Sequence, residues 1–189
     1  MLATENQAGT VGTISQASNF VQGDQYGRVG TTSPTTPFAP VFYMISQNTA
    51  YVIGEPAQVN GESDAFFGIV EPQTGGPFYA STIASAFVAG TTFPSTASVP
   101  DISGTVIFNS SSGRVEGLQN QSTSSVNQFE QVADAAYSIT DANAGTGTLT
   151  FSSPTNGATG AFVIISPSQI VMMTTTPGDS NPVLVLFQQ

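Results

Sequence analysis

Short runs of β-branched and aromatic residues alternate along the whole chain with clusters of Gly, Pro, Asn, Asp and Ser. Runs of this length between turn-forming residues are typical of β-strands, and short connections place neighbouring strands side by side in a sheet. The pattern predicts an antiparallel meander of many short strands. The predicted strands are residues 10–15, 28–32, 41–46, 50–54, 65–70, 81–89, 104–109, 114–118, 126–132, 135–139, 147–151, 160–165, 170–174 and 183–187.

One segment fits two interpretations. Phe129, Val132, Ala133, Ala136 and Tyr137 also fall on a helical stripe, because apolar residues three and four positions apart share one face of a helix. The sequence therefore leaves a helix open beside the two strands predicted for this part of the chain.

An internal repeat is the most informative feature of the pattern. Residues 25–55 align without a gap onto residues 145–175, at a spacing of 120, and after a small deletion residues 69–73 lie over residues 185–189. The matches include Gly27 with Gly147, residues 33–35 with 153–155 (Ser-Pro-Thr), Phe42 with Phe162, and residues 45–46 with 165–166 (Ile-Ser). The repeat predicts that the two segments form the same succession of strands and turns.

The predicted fold class is all-β, an antiparallel meander that forms a barrel or a sandwich from about one and a half copies of a unit of 120 residues. Residues 74–189 form the complete unit, with about eight to nine strands, and residues 1–73 form an N-terminal half unit with about five. An incomplete unit leaves strand edges without a partner. We therefore expect the half unit to be able to exchange strands.

Composition and charge exclude several classes of partner. The chain has 189 residues, of which 39% are hydrophobic, including 13 Phe and 5 Tyr, so it can bury a sizeable core. Its formal net charge of −10, with Arg28 and Arg114 as the only cationic side chains, is incompatible with binding to a phosphate backbone. The longest apolar stretches, residues 161–165, 170–173 and 183–187, are far shorter than the roughly 20 residues of a membrane helix. We expect neither a nucleic-acid partner nor membrane insertion.

The absence of Lys, His, Cys and Trp excludes most catalytic chemistry. No Ser-His-Asp triad, Cys-His pair, lysine Schiff base, or thiolate or imidazole metal site can form. Paired carboxylates remain, as in glycosidases. The candidates are Glu55, Glu62, Asp64 and Glu71, or Glu130 and Asp134. Most of these lie in predicted turns as solvated residues, so we predict that the protein is not an enzyme and assign no catalytic residue.

Three loops carry oxygen ligands of the type that calcium prefers. They are Asn60-Gly-Glu62-Ser-Asp64, its counterpart Asp179-Ser-Asn181, and Asp141-Ala-Asn143-Ala-Gly145. None has the twelve-residue pattern anchored by glycine, and side chains that cap their own turns explain all three equally well. We therefore assign no metal and no cofactor.

The aromatic residues are expected to anchor a β core. The candidates are Phe42, Tyr43, Phe66, Phe67, Phe87, Phe108 and Phe162. A second interpretation places inward-facing aromatic side chains around a pocket for a small apolar ligand, as in a calyx-shaped barrel.

A series of motifs follows across residues 75–189: residues 77–90, 103–109 (Ser-Gly-Thr-Val-Ile-Phe-Asn), 113–117 (Gly-Arg-Val-Glu-Gly), 136–139, 145–151, 162–167 and 183–189. Together they resemble a β-rich unit found in tandem in large secreted proteins of Acidobacteria and related soil bacteria, and residues 26–73 resemble half of such a unit. The resemblance implies a surface location and a repeated β architecture, and no activity. Residues 109–113 (Asn-Ser-Ser-Ser-Gly) replace the Asp-Gly-x-Gly turn that such units often carry, which argues against a cation in that loop.

The expected location is extracellular, at the cell surface. Residues 1–5 have neither the basic region nor the apolar core of a signal peptide, and the low charge and Ser/Thr-rich strands favour a secreted chain from which a signal has been removed. We expect an adhesive or structural surface protein whose copies assemble into filaments or arrays by adding strands to one another. The alternative is a lipocalin-like or avidin-like barrel that binds a small apolar or sugar ligand in a cavity lined by Phe and Tyr.

Overall fold

The computed structural model describes residues 2–7, 10–15, 23–30, 38–56, 67–92, 100–123, 125–178 and 183–189. These residues form antiparallel strands and one short 3₁₀ helix, Ala80–Ile83, which confirms the predicted all-β class. The strands are β1 (Leu2–Gln7), β2 (Thr10–Ser15), β3 (Arg28–Val29), β4 (Phe38–Ser46), β5 (Thr49–Pro56), β6 (Phe67–Val70), β7 (Ala86–Thr91), β8 (Asp101–Asn109), β9 (Arg114–Ser122), β10 (Asn127–Asp141), β11 (Thr146–Ser153), β12 (Thr159–Ser166), β13 (Gln169–Thr174) and β14 (Leu184–Gln188).

Strands β7 to β14 close into an eight-stranded barrel in which each strand pairs antiparallel with its neighbours in sequence. The barrel closes where β14 returns to β7, with Phe187 opposite Ala89 and Val185 opposite Thr91. Closure leaves the barrel without an edge strand, because every strand has a neighbouring strand on both sides. Of the two predicted architectures, this part of the chain is therefore the barrel.

Strict alternation along the strands places one set of apolar side chains inside the barrel. On β12, for example, Phe162 and Ile164 are buried, and the intervening Val163 is only half-buried. The buried set forms one continuous core, which contains Phe78, Ile83, Phe87, Ala89, Val106, Phe108, Val115, Ala133, Ala135, Tyr137, Leu149, Phe162, Ile164, Ile170, Met172, Val183, Val185 and Phe187.

The 3₁₀ helix and the segment before it close one end of the barrel. Phe78 and Ile83 are almost fully buried there, at 1% and 0% exposure. The backbone N–H of Phe78 donates to the carbonyl of Ala142 in the β10–β11 turn, at 2.7 Å. The predicted strand over residues 81–89 is wrong in its first half, because Thr82 caps the helix at Tyr79 and the strand begins only at Ala86.

Strand β10 corrects two expectations for the middle of the chain. It runs unbroken for 15 residues where we predicted two strands, and it excludes the alternative helix. Its first part, up to Ala136, pairs with β9, and its last part, from Asp134 onward, pairs with β11. Glu130, with φ of 53°, lies in an irregularity between Gln128 and Gln131. The apolar residues that would share one face of a helix lie on both faces of this strand, with Ala133 inside the barrel and Val132 outside.

The N-terminal part of the chain forms two smaller sheets. Strands β1 and β2 form one, and the other has the order β3-β4-β5-β6, so that β3 and β6 lie at its edges. The chain divides into two compact units, of which one contains residues 1–3 and 14–72 and the other contains residues 4–13 and 73–189.

Residue pairing between β4 and β5 is the same as the pairing between β12 and β13, 120 positions further on. The register is interrupted at the same point in both hairpins, between Met44 and Ser46 and between Ile164 and Ser166. The corresponding pairs are Phe42 with Val52 and Met44 with Ala50 in the first hairpin, and Phe162 with Met172 and Ile164 with Ile170 in the second.

Hydrogen bonding shifts the predicted alignment outside these hairpins. The N–H of Met44 donates to the carbonyl of Gly27, and the N–H of Ile164 donates in the same way to the carbonyl of Gly145. Both glycines have positive φ, 76° and 64°, a conformation that favours glycine. Gly27 therefore corresponds to Gly145 and not to Gly147, which the alignment of identical residues had suggested.

Candidate ligand-binding cavity

A cavity of about 310 Å³ lies inside the barrel, at the end opposite the 3₁₀ helix. Its walls come from the strand ends and turns on that side. Residues from these ends that line it include Pro100, Ile102, Gln121, Pro154, Thr155, Ala158, Thr174, Thr176 and Val183. Ligand pockets in proteins usually measure about 300–1,000 Å³, so the cavity suits a small molecule.

The cavity exists because side-chain size changes along the inward face of the strands. Strand β7 carries Phe87 near the closed end and Ala89 further along, and β8 runs from Phe108 at the closed end to Gly104. Ala89 and Gly104 are directly paired, and both line the cavity. Because these two small residues lie opposite each other, they leave open the space that large side chains fill at the closed end of the barrel.

An aromatic cluster forms the floor of the cavity. The ring of Phe108 makes edge-to-face contacts with the rings of Phe87, Tyr137 and Phe187, at centroid distances of 5.3, 5.3 and 5.7 Å. Such geometry stabilises aromatic pairs beyond the burial of their surface. Phe187 belongs both to this cluster and to the cavity wall, so the cluster fixes the lower limit of the space.

Two polar atoms buried in the barrel have no hydrogen-bond partner among the described residues: the hydroxyl of Tyr137 and the amide oxygen Oε1 of Gln131. Burial raises the pKa of Tyr137, because the charged phenolate is poorly solvated there. A buried polar group without a partner is costly. These two atoms are therefore the least satisfied groups in the barrel interior.

Among the described residues that line the cavity, Asp134 is the only charged one. Its two carboxylate oxygens accept hydrogen bonds from Nε and Nη2 of Arg114 on the adjacent strand. The hydrogen bond and the negative charge of Asp134 raise the pKa of Arg114. None of the described residues in the cavity wall has a cationic side chain.

Among the described residues, the carboxylate candidates do not form a buried pair. Glu71 and Glu130 are exposed, and Asp134 is bound to Arg114. Glu55 lies in β5, and Glu62 and Asp64 lie outside the described residues. Within the part of the chain that is described, no three acidic residues come close enough together to hold a metal ion.

Of the three candidate calcium loops, one is described. The carboxylate of Asp141 accepts hydrogen bonds from the backbone N–H groups of Asn143 and Ala144, at 2.8 and 3.2 Å. This is the turn-capping geometry expected of Asp in a tight turn. The loops at residues 60–64 and 179–181 lie outside the described residues.

The aromatic candidates divide between core and surface. Phe87, Phe108 and Phe162 are buried, Phe42 is half-buried, and Tyr43 is 42% exposed. Phe66 lies outside the described residues, and Phe67 begins β6.

The aromatic residues of the cavity wall, Phe151 and Phe187, were not among the candidates. Alternation along β14 could have identified Phe187, because it shares the parity of Val185. Gln119 and Gln121 also line the cavity. No sequence signal marked them, because polar residues on a strand ordinarily indicate its outer face.

Neither a protein-family model nor a curated protein matches this chain. Among the described residues, no helix has the length and apolar character needed to cross a membrane.

Proposed function

We propose that the barrel of residues 86–188 binds a small, mainly apolar ligand in its cavity. The observation that carries the proposal is a partly open cavity of about 310 Å³ whose wall is mostly apolar, between a packed aromatic floor and the strand ends. Apolar pockets with a few polar groups are the usual form of small-molecule sites. The proposal corresponds to the calyx alternative from the sequence.

The cavity sets the size and the affinity of the ligand. Its volume of 310 Å³ is about ten times the ~30 Å³ share of a liquid water molecule, so it holds a molecule of about ten heavy atoms. Burial of ten methylene-sized groups at ~0.8 kcal/mol each gives about 8 kcal/mol before the cost of immobilising the ligand. A dissociation constant near or above the micromolar range is therefore expected.

Filling the cavity is expected to abolish this binding. Ala89 is 6% exposed and lines the cavity opposite Gly104. In the Ala89→Phe variant, the new ring occupies the space of the ligand, and we expect the affinity for 1-naphthylamine, a probe whose size matches the cavity, to fall at least tenfold. The measurement is a fluorescence titration, since the emission of this neutral, apolar probe rises when it leaves water.

Val88→Phe is the matched control, because Val88 is the adjacent residue of β7 and is 63% exposed on the outer surface. Its affinity for the probe should equal that of the unmodified protein, and circular dichroism should show strand content unchanged in both variants. If the unmodified protein fails to bind the probe, or if Ala89→Phe binds it equally well, the proposed function is wrong.

Self-association at an extracellular surface is a second candidate function, supported by the sheet of β3 to β6. Tyr43, Tyr51 and Ile69 are paired in a row across β4, β5 and β6, and each is more than 40% exposed. Strand β6 is an edge of this sheet, and an edge strand can pair with another chain. The shared register with β12 and β13 is consistent with a half unit of a repeated design.

Sedimentation velocity over a range of protein concentrations tests this candidate. We expect assemblies whose size grows with protein concentration. The Ile69→Lys variant should form smaller assemblies, because a lysine on an edge strand opposes pairing with another strand. Val88→Lys, a charge introduced at an exposed site of the barrel, should leave the assemblies unchanged. A monodisperse monomer at high concentration, without filaments in electron micrographs, would contradict self-association.

A further inference from the structure

A groove of about 450 Å³ lies on the outer side of β7, β8 and β9, at the end of the barrel opposite the 3₁₀ helix. Its surface follows the strand pairing, in which Gly90 is opposite Ser103 and Ser103 is opposite Asn120. The next pair, Asp101 and Ser122, also lines the groove. The four polar side chains are exposed, and they alternate along their strands with residues that line the internal cavity. The groove therefore presents hydroxyl, amide and carboxylate groups to the solvent.

A bulge in β10 adds an aromatic ring to this groove. The register with β9 shifts between residues 128 and 131, so that Phe129 and Glu130 lie opposite the single residue Asn120. One extra residue reverses the alternation of side chains along a strand. Counted from the buried Ala133, strict alternation would turn Phe129 into the barrel. Because of the bulge, Phe129 is 73% exposed instead and lines the groove.

The bulge is unfavourable for the stability of the barrel in two respects. Glu130 has a φ of 53°, a conformation that is uncommon for residues other than glycine. The ring of Phe129 forgoes the stabilisation that burial of an apolar side chain provides. The N–H of Glu130 donates to Oδ1 of Asn120 at 3.0 Å, and this hydrogen bond ties the bulge to the groove. Bulges that redirect a side chain and strained backbone are both over-represented at functional sites.

From this groove we infer a second binding site, for a neutral sugar with one pyranose ring stacked on Phe129. The face of an aromatic ring is negative and the C–H groups of a sugar ring are weakly positive, so the two pack against each other. Sugar hydroxyls donate and accept, which suits the carboxylate of Asp101 as acceptor and the amide NH₂ of Asn120 as donor. At ~30 Å³ for each water-sized group, the groove holds about 15 heavy atoms, and a hexose has about 12.

Charge at the groove favours a neutral sugar over an acidic one. Asp101 lines the groove, Glu130 lies beside it in the bulge, and both are exposed. Of the lining residues that the structure describes, none is cationic, and the chain carries a formal net charge of −10. A carboxylate on the sugar would therefore be repelled, without a cation to offset the repulsion.

Titration with cellotetraose, a β-linked tetramer of glucose, tests the inference. All ring hydroxyls of this sugar are equatorial, so its ring faces present only C–H groups. The measurement is the chemical shift of the backbone amides of the isotope-labelled protein. We expect the signals of Gly90, Ser103 and Asn120 to shift and to saturate. If no saturable shift occurs at these positions up to the solubility limit of the sugar, the inference is wrong.

Variants at Phe129 test the role of the aromatic ring. Phe129→Ala should lower the affinity for cellotetraose at least fivefold, and the fold should be retained because the side chain is exposed. Phe129→Trp keeps a ring and should bind at least as tightly as the unmodified protein. Val126→Ala, at an exposed apolar residue that precedes β10 and does not line the groove, should leave the affinity unchanged. Equal affinities of the Ala and Trp variants at position 129 would overturn the role of the ring.

A matched acidic sugar tests the preference for a neutral ligand. Tetraglucuronate with the same linkage carries a carboxylate where cellotetraose carries a hydroxymethyl group. At low ionic strength we expect it to bind at least fivefold more weakly, and the difference should shrink as salt screens the repulsion. Equal or tighter binding of tetraglucuronate at low ionic strength overturns the neutral class. The inference does not rest on the proposed function, because the ligand of the groove contacts the outer side of the barrel.

Discussion

Replacing Gly117 by Ala is expected to lower the free energy of unfolding of the barrel by about 3 kcal/mol or more. A Cβ atom at Gly117 would lie 2.0 Å from the carbonyl oxygen of Thr105 and 2.7 Å from Cα of Val106. Both contacts are with the backbone of β8, which cannot move away without disturbing its ladders with β7 and β9. Overpacking ordinarily costs about 1–3 kcal/mol, and a clash with fixed backbone belongs at the upper end. Urea unfolding followed by circular dichroism measures the effect.

Gly90→Ala is the matched control for this prediction. Gly90 also lies in a barrel strand, but the nearest atom to its added Cβ is the carbonyl oxygen of Ile102, at 3.9 Å. Its change in unfolding free energy should stay within about 1 kcal/mol, since Ala in a strand interior is favoured over Gly by roughly 0.5–1 kcal/mol. If Gly117→Ala unfolds at the same urea concentration as Gly90→Ala, β8 and β9 do not approach each other as closely as described.

Gly104 repeats this arrangement from the other strand, because its Cβ would lie 2.4 Å from the carbonyl oxygen of Leu118. Two close approaches of β8 and β9 therefore occur on the wall that also carries Val106 and Gln119. Glycine within a strand often marks such an approach of another backbone. The sequence shows both glycines, but which backbone they face depends on the register of two strands, which no local pattern specifies.

Local alternation made most of the barrel predictable. The apolar runs that became β12, β13 and β14 alternate regularly between buried and half-buried side chains, and their predicted bounds differ from the observed ones by at most one residue at each end. The prediction was wrong at residues 81–83, where Thr82 bonds back to Tyr79 and forms a helical turn. That turn depends on the burial of Ile83 at the closed end of the barrel, a tertiary contact.

The cavity could be anticipated only as a possibility. Its space arises where Ala89 and Gly104 meet across one ladder, and composition alone does not say which small residues will be opposite each other. The position of the glutamines in the wall was harder to predict, because Gln119 and Gln121 would ordinarily be assigned to the solvent face. Inward-facing polar residues become visible only when the strand is placed in the barrel.

Replacing Phe108 by Ala is expected to cost about 3–5 kcal/mol of stability, the usual range for truncating a buried Phe. Phe108 is 1% exposed, and its ring contacts three other aromatic rings in edge-to-face geometry. Removing it leaves a cavity among side chains that the surrounding strands hold in place. The measurement is the shift of the urea midpoint, with tyrosine fluorescence as a second probe because Tyr137 lies against the lost ring.

Ile107→Ala is the control, because Ile107 is the preceding residue of β8 and is 57% exposed on the outer face. Its cost should stay within about 0.5 kcal/mol, as for most surface substitutions. The floor of the ligand cavity gives this prediction a second readout. Since Phe108 supports Phe187 from below, Phe108→Ala should also weaken binding of the naphthylamine probe in protein that remains folded. Equal stability of the two variants would show that the aromatic cluster does not hold the closed end together.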